Sequence, residues 1–422
     1  MLSEEKEVER KALPLSQVST EKKERLKTGF EELDRVLGGG LVPGSVSLIG
    51  GEPGTGKSTL LLQAAYNLTS YGKVLYISGE ESARQIKMRA DRLDLESEEM
   101  LLYSGQNMER AMDQALELEP VCMIVDSIQA LSDTNSEATL GSTKQVRELG
   151  SGFTRLAKEK EIATLLVGHI TKSGEFAGPK AIEHLVDATF YFEGEKESQV
   201  RLLRPQKNRF GSTDGLGLFQ MTEKGLREIL NPSQFFANRD GGNENKKGSA
   251  VVCIMEGKRP ILAEVQALVT PPNYSGNSQR RTTGLDYNRA SLLLAVLEKQ
   301  LELNLGGADV YLNVVGGFSV NETAADLGVI AAVLSSYSNL PLGSGGVFVG
   351  EVGLSGEVRP VKNLSARLNE VSKLGYERFY FPSSSNLQAE KSPSNREESE
   401  GSTKLRPVES LSDLYRRLKG RG

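Results

Sequence analysis

Cysteine is almost absent from this chain: Cys122 and Cys253 are the only two among 422 residues, and each sits inside an apolar run. A disulfide framework is thereby excluded, and both read as inert thiols of buried strands. Long hydrophobic runs are missing too. No apolar stretch approaches the length that crosses a bilayer, and the charged opening MLSEEKEVERK lacks the apolar centre of a secretory signal, so the expected compartment is the cytoplasm. Nor is there a surplus of positive charge, since 51 Lys and Arg face 56 Asp and Glu for a formal net charge of -5. That balance argues against a protein that coats nucleic acid uniformly, and it confines any polyanion site to a local patch.

What remains is a chain long enough for two hydrophobic cores, with 38% apolar residues to fill them. Residues 1–25 carry many Glu and Lys but few apolar side chains and read as a flexible lead-in or a solvated helix. From Val46 onward VSLIG, VLYIS, VCMIV, ATLLVG and ATFYF recur, with helix-compatible segments between the first four. That rhythm indicates βαβ units and a mainly parallel sheet over residues 26–230. VRLLR and LGLFQM follow on short connections, as an antiparallel edge would. The Asn-, Gly- and charge-rich stretch 231–249 is the expected linker.

A second, α+β domain is expected over 250–382. It opens with AVVCIM and ILAEVQALV, places PPNYSGNSQRRTTG in an exposed loop, and continues through helical patterns near 289–301, 324–336 and 364–374 to the strand RFYFP. Residues 383–422 read as a Ser-rich, charged tail with one short terminal helix in LSDLYRRLKG.

The chemistry concentrates in the first domain. Gly51, Glu52, Pro53, Gly54, Thr55, Gly56, Lys57 and Ser58 match G-x-x-x-x-G-K-[ST] in full, directly after VSLIG and before a helix that opens with Thr59. Glycines let the backbone curl until its N–H groups face phosphate, while the helix presents the positive end of its dipole. Lys57 is expected to neutralise the β and γ phosphates of ATP, and Ser58 to offer Mg²⁺ a hydroxyl. Asp126, closing the strand VCMIV, is placed to hold the same metal through water. Hydrolysis also needs a carboxylate that polarises water. Glu80, after VLYIS, is the candidate; its neighbour Glu81 is the alternative, and either can instead serve the next helix through its dipole. Only two histidines occur. His169 ends ATLLVG at the same crevice and is read as a γ-phosphate sensor, whereas His184 is read as structural.

Taken together, TGFEELDRVLGGGLVPGSVSLIGGEPGTGKSTLLLQ, LYISGEES, VDSIQ, VGHITKSG, EHLVDATFYFEG and LRPQKNRFGS resemble the RadA (Sms) family of bacterial DNA-repair ATPases. The most diagnostic stretch is Lys207, Asn208, Arg209, Phe210 and Gly211. The resemblance implies a RecA-like P-loop core in which Lys207 and Arg209 reach a neighbouring subunit's site, so that hydrolysis depends on assembly. The alternative is that Arg201, Arg204, Lys207 and Arg209 form a solvated basic strand and turn. Residues 250–382 look like the proteolytic domain of Lon, but its Ser position falls on Ala324 or Ala325 and its Lys position on Arg367, which cannot act as a base. The implied domain is proteolytically inactive and serves assembly and DNA contact, in a family similar to a hexameric ring. Family members usually begin with a four-cysteine zinc module. No C-x-x-C pair exists here, so no zinc is expected.

Partners follow from the same resemblance: single-stranded or branched DNA, further copies of the chain, and RecA recombinase as a candidate. The expected DNA-facing loops are Ser132 to Lys144 and Lys172 to Lys180, the second carrying Phe176, with Arg280 and Arg281 extending a phosphate track. The function expected is a DNA-dependent ATPase driving branch migration in recombinational repair. The rivals are a KaiC-like regulatory ATPase and an ATP-dependent peptidase.

Overall fold

Alternating β-rich and helical segments assemble into a 9-stranded sheet in the first half of the chain. The computed structural model describes residues 14, 24–134, 136, 138–169, 180–194, 198–237, 246–272, 278–316, 319–343, 345–385 and 403–420. The strands are β1 (Val46–Gly51), β2 (Val74–Ser78), β3 (Met100–Ser104), β4 (Cys122–Asp126), β5 (Ala163–His169), β6 (Ala188–Glu193), β7 (Val200–Asn208), β8 (Gly217–Thr222) and β9 (Gly225–Glu228). Their order is β3-β2-β4-β5-β1-β6-β7-β8-β9; β1 to β6 run parallel, and β7 to β9 form the antiparallel edge expected from the sequence. The helices are α1 (Glu31–Leu37), α2 (Lys57–Leu68), α3 (Ala83–Arg92), α4 (Met108–Leu118), α5 (Thr143–Lys160) and α6 (Lys180–Glu183).

Burial on both faces explains the unbroken apolar runs of the central strands. Val74, Tyr76, Cys122 and Ile124 pack with Leu60 and Leu61 of α2, while Leu75, Ile77, Met123 and Val125 pack with Met108 of α4 and Phe153 of α5. The sequence reading lacked β3 and β9. MLLYS is an edge strand with a half-exposed pattern, and β9 is only 4 residues long.

The second half is a 7-stranded sheet, β12-β13-β11-β10-β14-β17-β18, with a two-stranded hairpin beside it. Its elements are α7 (Pro232–Phe236), β10 (Ser249–Glu256), β11 (Arg259–Thr270), β12 (Arg280–Thr283), α8 (Tyr287–Leu301), β13 (Asp309–Val314), α9 (Asp326–Tyr337), β14 (Gly346–Phe348), β15 (Glu351–Val352), β16 (Val358–Arg359), α10 (Leu364–Lys373), β17 (Arg378–Pro382), β18 (Lys404–Val408) and α11 (Leu411–Lys419). Helix α9 is buried continuously from Asp326 to Ser335, as suits a helix apolar on every side.

Three expectations are corrected here. The linker 231–249 begins with α7, whose Phe236 is fully buried and whose Ser233 hydroxyl accepts from the Leu262 amide at 3.2 Å and donates to Glu370 at 2.7 Å. Two phenylalanines after a helix-starting proline make this segment part of the second core rather than a bare connection. In the tail 383–422 the expected terminal helix is present as α11, burying Leu411, Leu414 and Leu418, but β18 also adds to the sheet parallel to β17. The backbone of β17 templates a strand whose own sequence, KLRPV, has too few apolar residues to announce itself. Arg280 and Arg281, expected in a loop, lie on β12, paired in parallel with β13. Residues 1–13, 15–23 and 386–402 lie outside the described residues.

The two halves share a core. Val200, Leu216, Leu218 and Ile229 from the antiparallel edge pack in one cluster with Val252, Ile254 and Ile261. Above this patch the buried Glu32 of α1 accepts from the Leu218 amide at 2.9 Å and pairs with Arg259 of β11 at 3.0 Å, while Arg204 of β7 pairs with Glu256 at 2.6 Å.

Candidate nucleotide site

The carboxyl ends of β1, β2, β4 and β5 meet along one edge, and there the sheet register brings the predicted site residues together. Gly51 stands opposite His169, and Ser78 opposite Asp126. The chain turns from β1 into α2 through the Gly51–Ser58 loop; Gly56 has φ +103° and packs against Met221, so a side chain there would face both backbone strain and collision. Lys57 is buried, and its Nζ donates to the carbonyls of Gly51 and Glu52 at 2.7 and 2.8 Å. Burial pushes its ammonium down to about 8, against the pull of Asp126, Glu80 and Glu52. Thr55 is buried, with its hydroxyl donating to the Glu52 carbonyl at 2.9 Å.

The adjacent carboxylates Glu80 and Glu81 diverge. Glu81 pairs with Arg89 of α3 at 2.5 Å, and its backbone closes on Ser78. Glu80 instead accepts from the Ser127 hydroxyl and meets His169 Nε2 at 3.0 Å. Those contacts, with Lys57 nearby, hold its carboxyl down to about 2; the His169 bond is the largest cause. Helix α3 needs neither carboxylate as a cap, because Ser82 and Gln85 form a complete capping box. Asp126 accepts a 2.6 Å hydrogen bond from the Tyr76 hydroxyl, whose phenol is raised well above its usual value by burial first and Asp126 second.

Not all the predicted residues gather here. Lys207 lies level with Thr189 and hence with Leu48, toward the opposite end of the sheet from the phosphate loop. Its Nζ donates to the carbonyls of Glu183 and Val186, both at 2.7 Å. Arg209 pairs with Asp187 at 3.2 Å and is more than half exposed. The rest of that pentapeptide braces the fold: Asn208 donates to the Val36 carbonyl at 3.0 Å, and Gly211 lies against Gly38. Of the expected DNA loops, 135, 137 and 170–179, including Lys172 and Phe176, lie outside the described residues, as does the Lys180 side chain. One residue escaped the sequence reading. Arg201 is not solvated but buried, and its Nε donates to the carbonyl of Thr55 at 2.9 Å.

In the second half Ala324 and Ala325 are buried just before α9. Arg367, wholly buried, pairs with Glu322 through both guanidinium ends and also donates to the carbonyls of Cys253 and Lys362.

Glycine-rich loop, buried lysine, hydroxyl, strand-end aspartate and a water-facing glutamate at one edge of a mostly parallel sheet define a RecA-like P-loop ATPase. The family profile for the AAA domain matches residues 10–175. DNA repair protein RadA of Streptococcus pneumoniae is 50% identical over 377 residues, covering 89% of each chain. The proteins of that name from Listeria monocytogenes and Halalkalibacterium halodurans are each 46% identical over 373 residues, covering 88% of this chain and 81% of theirs. The chain belongs to the RadA family of DNA repair proteins. Solved chains of the RadB recombinase and of the G40P ATPase domain align over 48% and 49% of it and over 99% and 92% of themselves, with TM-scores of 0.39 and 0.42 at 20% and 17% identity.

The donor set suits magnesium nucleotide. Among the described residues no group of three or more His, Cys, Asp or Glu forms a self-sufficient metal cage, and a magnesium ion shared with phosphates needs none. No described helix is long and apolar enough to cross a membrane.

Proposed function

We propose that the protein is a DNA-dependent ATPase that moves along single-stranded DNA and drives branch migration in recombinational repair, working as a ring of like subunits. The observation that carries the reading is Glu80 suspended between Ser127 and His169 beside the phosphate loop. His169 is the last residue of β5, directly before the segment expected to contact DNA, so strand binding there acts on a group that, with Ser127, restrains Glu80.

In this reading Lys57 and the loop amides bind and orient the triphosphate, and Ser58 and Asp126 hold magnesium, which when bound neutralises charge on the phosphate oxygens. Glu80 takes the proton of the attacking water. Held as it is, with a carboxyl near 2, it is ionised at neutral pH but a weak base; loosening the His169 bond makes it a stronger one. Lys207 sits at the wrong end of the sheet to serve its own loop. At about 3.3 Å per residue along a strand and about 4.8 Å between strands, the separation exceeds a lysine's reach, so any role at a γ-phosphate is exercised on a neighbour. The second half is read as a Lon-like fold without its catalytic pair, used for assembly and DNA contact, with RecA recombinase as a candidate partner.

The test is the ATPase rate with and without single-stranded DNA, over a salt series and beside the oligomer mass. Salt-sensitive stimulation of a multi-subunit species is expected. A monomer, or a rate indifferent to DNA, would overturn the reading.

A further inference from the structure

Arg201 reaches the phosphate loop through a backbone carbonyl, that of Thr55. The side chain is 7% exposed; Nε donates to the Thr55 carbonyl at 2.9 Å, while Nη1 donates to the carbonyls of Val200 and Ser198. The guanidinium is therefore fastened to the start of β7 and grips the loop at the same time. Room for it is made by Gly194, where an added Cβ would fall 2.3 Å from Arg201 Cδ.

The consequence lies in the geometry of one peptide. The unit joining Thr55 to Gly56 is planar and trans, so its carbonyl and its N–H point in opposite directions. With the carbonyl held by Arg201, the Gly56 N–H points away from that side chain, and loops of this kind turn such amides to phosphate. The Thr55 hydroxyl, bonded to the Glu52 carbonyl at 2.9 Å, keeps the same residue from rotating out.

We propose that Arg201 is a positioning residue for nucleotide binding, aiming the Gly56 amide at phosphate by holding the carbonyl of Thr55. A lysine could reach one of the carbonyls of Thr55, Ser198 and Val200 but lacks the fork that serves all of them. This rests on the phosphate loop holding nucleotide and is independent of any action of Lys207 on a neighbour.

The test compares full-length Arg201→Met and Arg201→Lys with the unaltered protein, using a fluorescent ATP analogue with magnesium for Kd, phosphate release for KM and kcat, and thermal melting for the fold. In the methionine variant Kd and KM should rise about tenfold, the loss of one well-directed hydrogen bond to a charged group, with kcat at saturation within about twofold. The lysine variant should recover part of the affinity. A folded methionine variant with unaltered Kd overturns the proposal, as does a fall in kcat at constant KM. Should methionine prevent folding, the lysine variant decides: a raised Kd supports the assignment, and an unaltered one overturns it. Failure of the unaltered protein to bind the analogue would instead remove the nucleotide reading itself.

Discussion

The two halves of the molecule each carry a cluster of charged side chains around a helix start, and they use it oppositely. At the edge of the first sheet Lys57, Glu80, Asp126 and His169 gather around the Gly51–Ser58 loop, where Glu80 and His169 meet while staying partly exposed. Before α9, Arg367 and Glu322 turn on each other, and Arg367 spends its remaining donors on carbonyls of its own fold. The difference is one of access: Glu80 and His169 keep side-chain surface open to solvent, whereas the Arg367 guanidinium has none.

Substitutions can break that contrast. Lys57→Ala removes the cation of the phosphate loop and should reduce phosphate release to background while the melting curve holds. Lys207→Ala should leave nucleotide affinity unchanged but lower turnover about a hundredfold with DNA present; ordinary turnover would dismiss action on a neighbour. In the second half the sensitivity should reverse. Arg367→Met leaves Glu322 the Met255 amide but no counter-ion and should cost about 3 kcal/mol in a denaturant titration without changing nucleotide affinity. The smallest effect is with pH. Because burial holds the Lys57 ammonium near 8, the charged form that attracts phosphate is lost as pH rises through that value, so fluorescent-nucleotide affinity should be flat below it and decline above it. Affinity that stays level up to pH 10 would place the ammonium in ordinary solvent.

What could be read from the sequence was whatever is contiguous. The phosphate loop is one run of residues, and the central strands are apolar because both of their faces are covered, so each announces itself locally. Glu80 and Glu81 are chemically identical neighbours; Arg89 of the next helix takes Glu81, while Glu80 is singled out by Ser127 and His169, which come from other parts of the chain. The solvated alternative for Arg201 could not be decided from sequence, because the Thr55 carbonyl it holds lies 146 positions away. Strand β18 and helix α7 went unread for a related reason, since each takes its place from a surface the rest of the second half provides.

Glu32 gives the last consequence. It is 3% exposed and bound at once to its own helix, to β8 and to Arg259 across the boundary, directly above apolar side chains common to both halves. Prising the halves apart would strip this carboxylate of a counter-ion and wet the patch beneath it. Heating should therefore melt them in a single calorimetric peak, and any stroke started by nucleotide should swing the whole subunit like a lever arm.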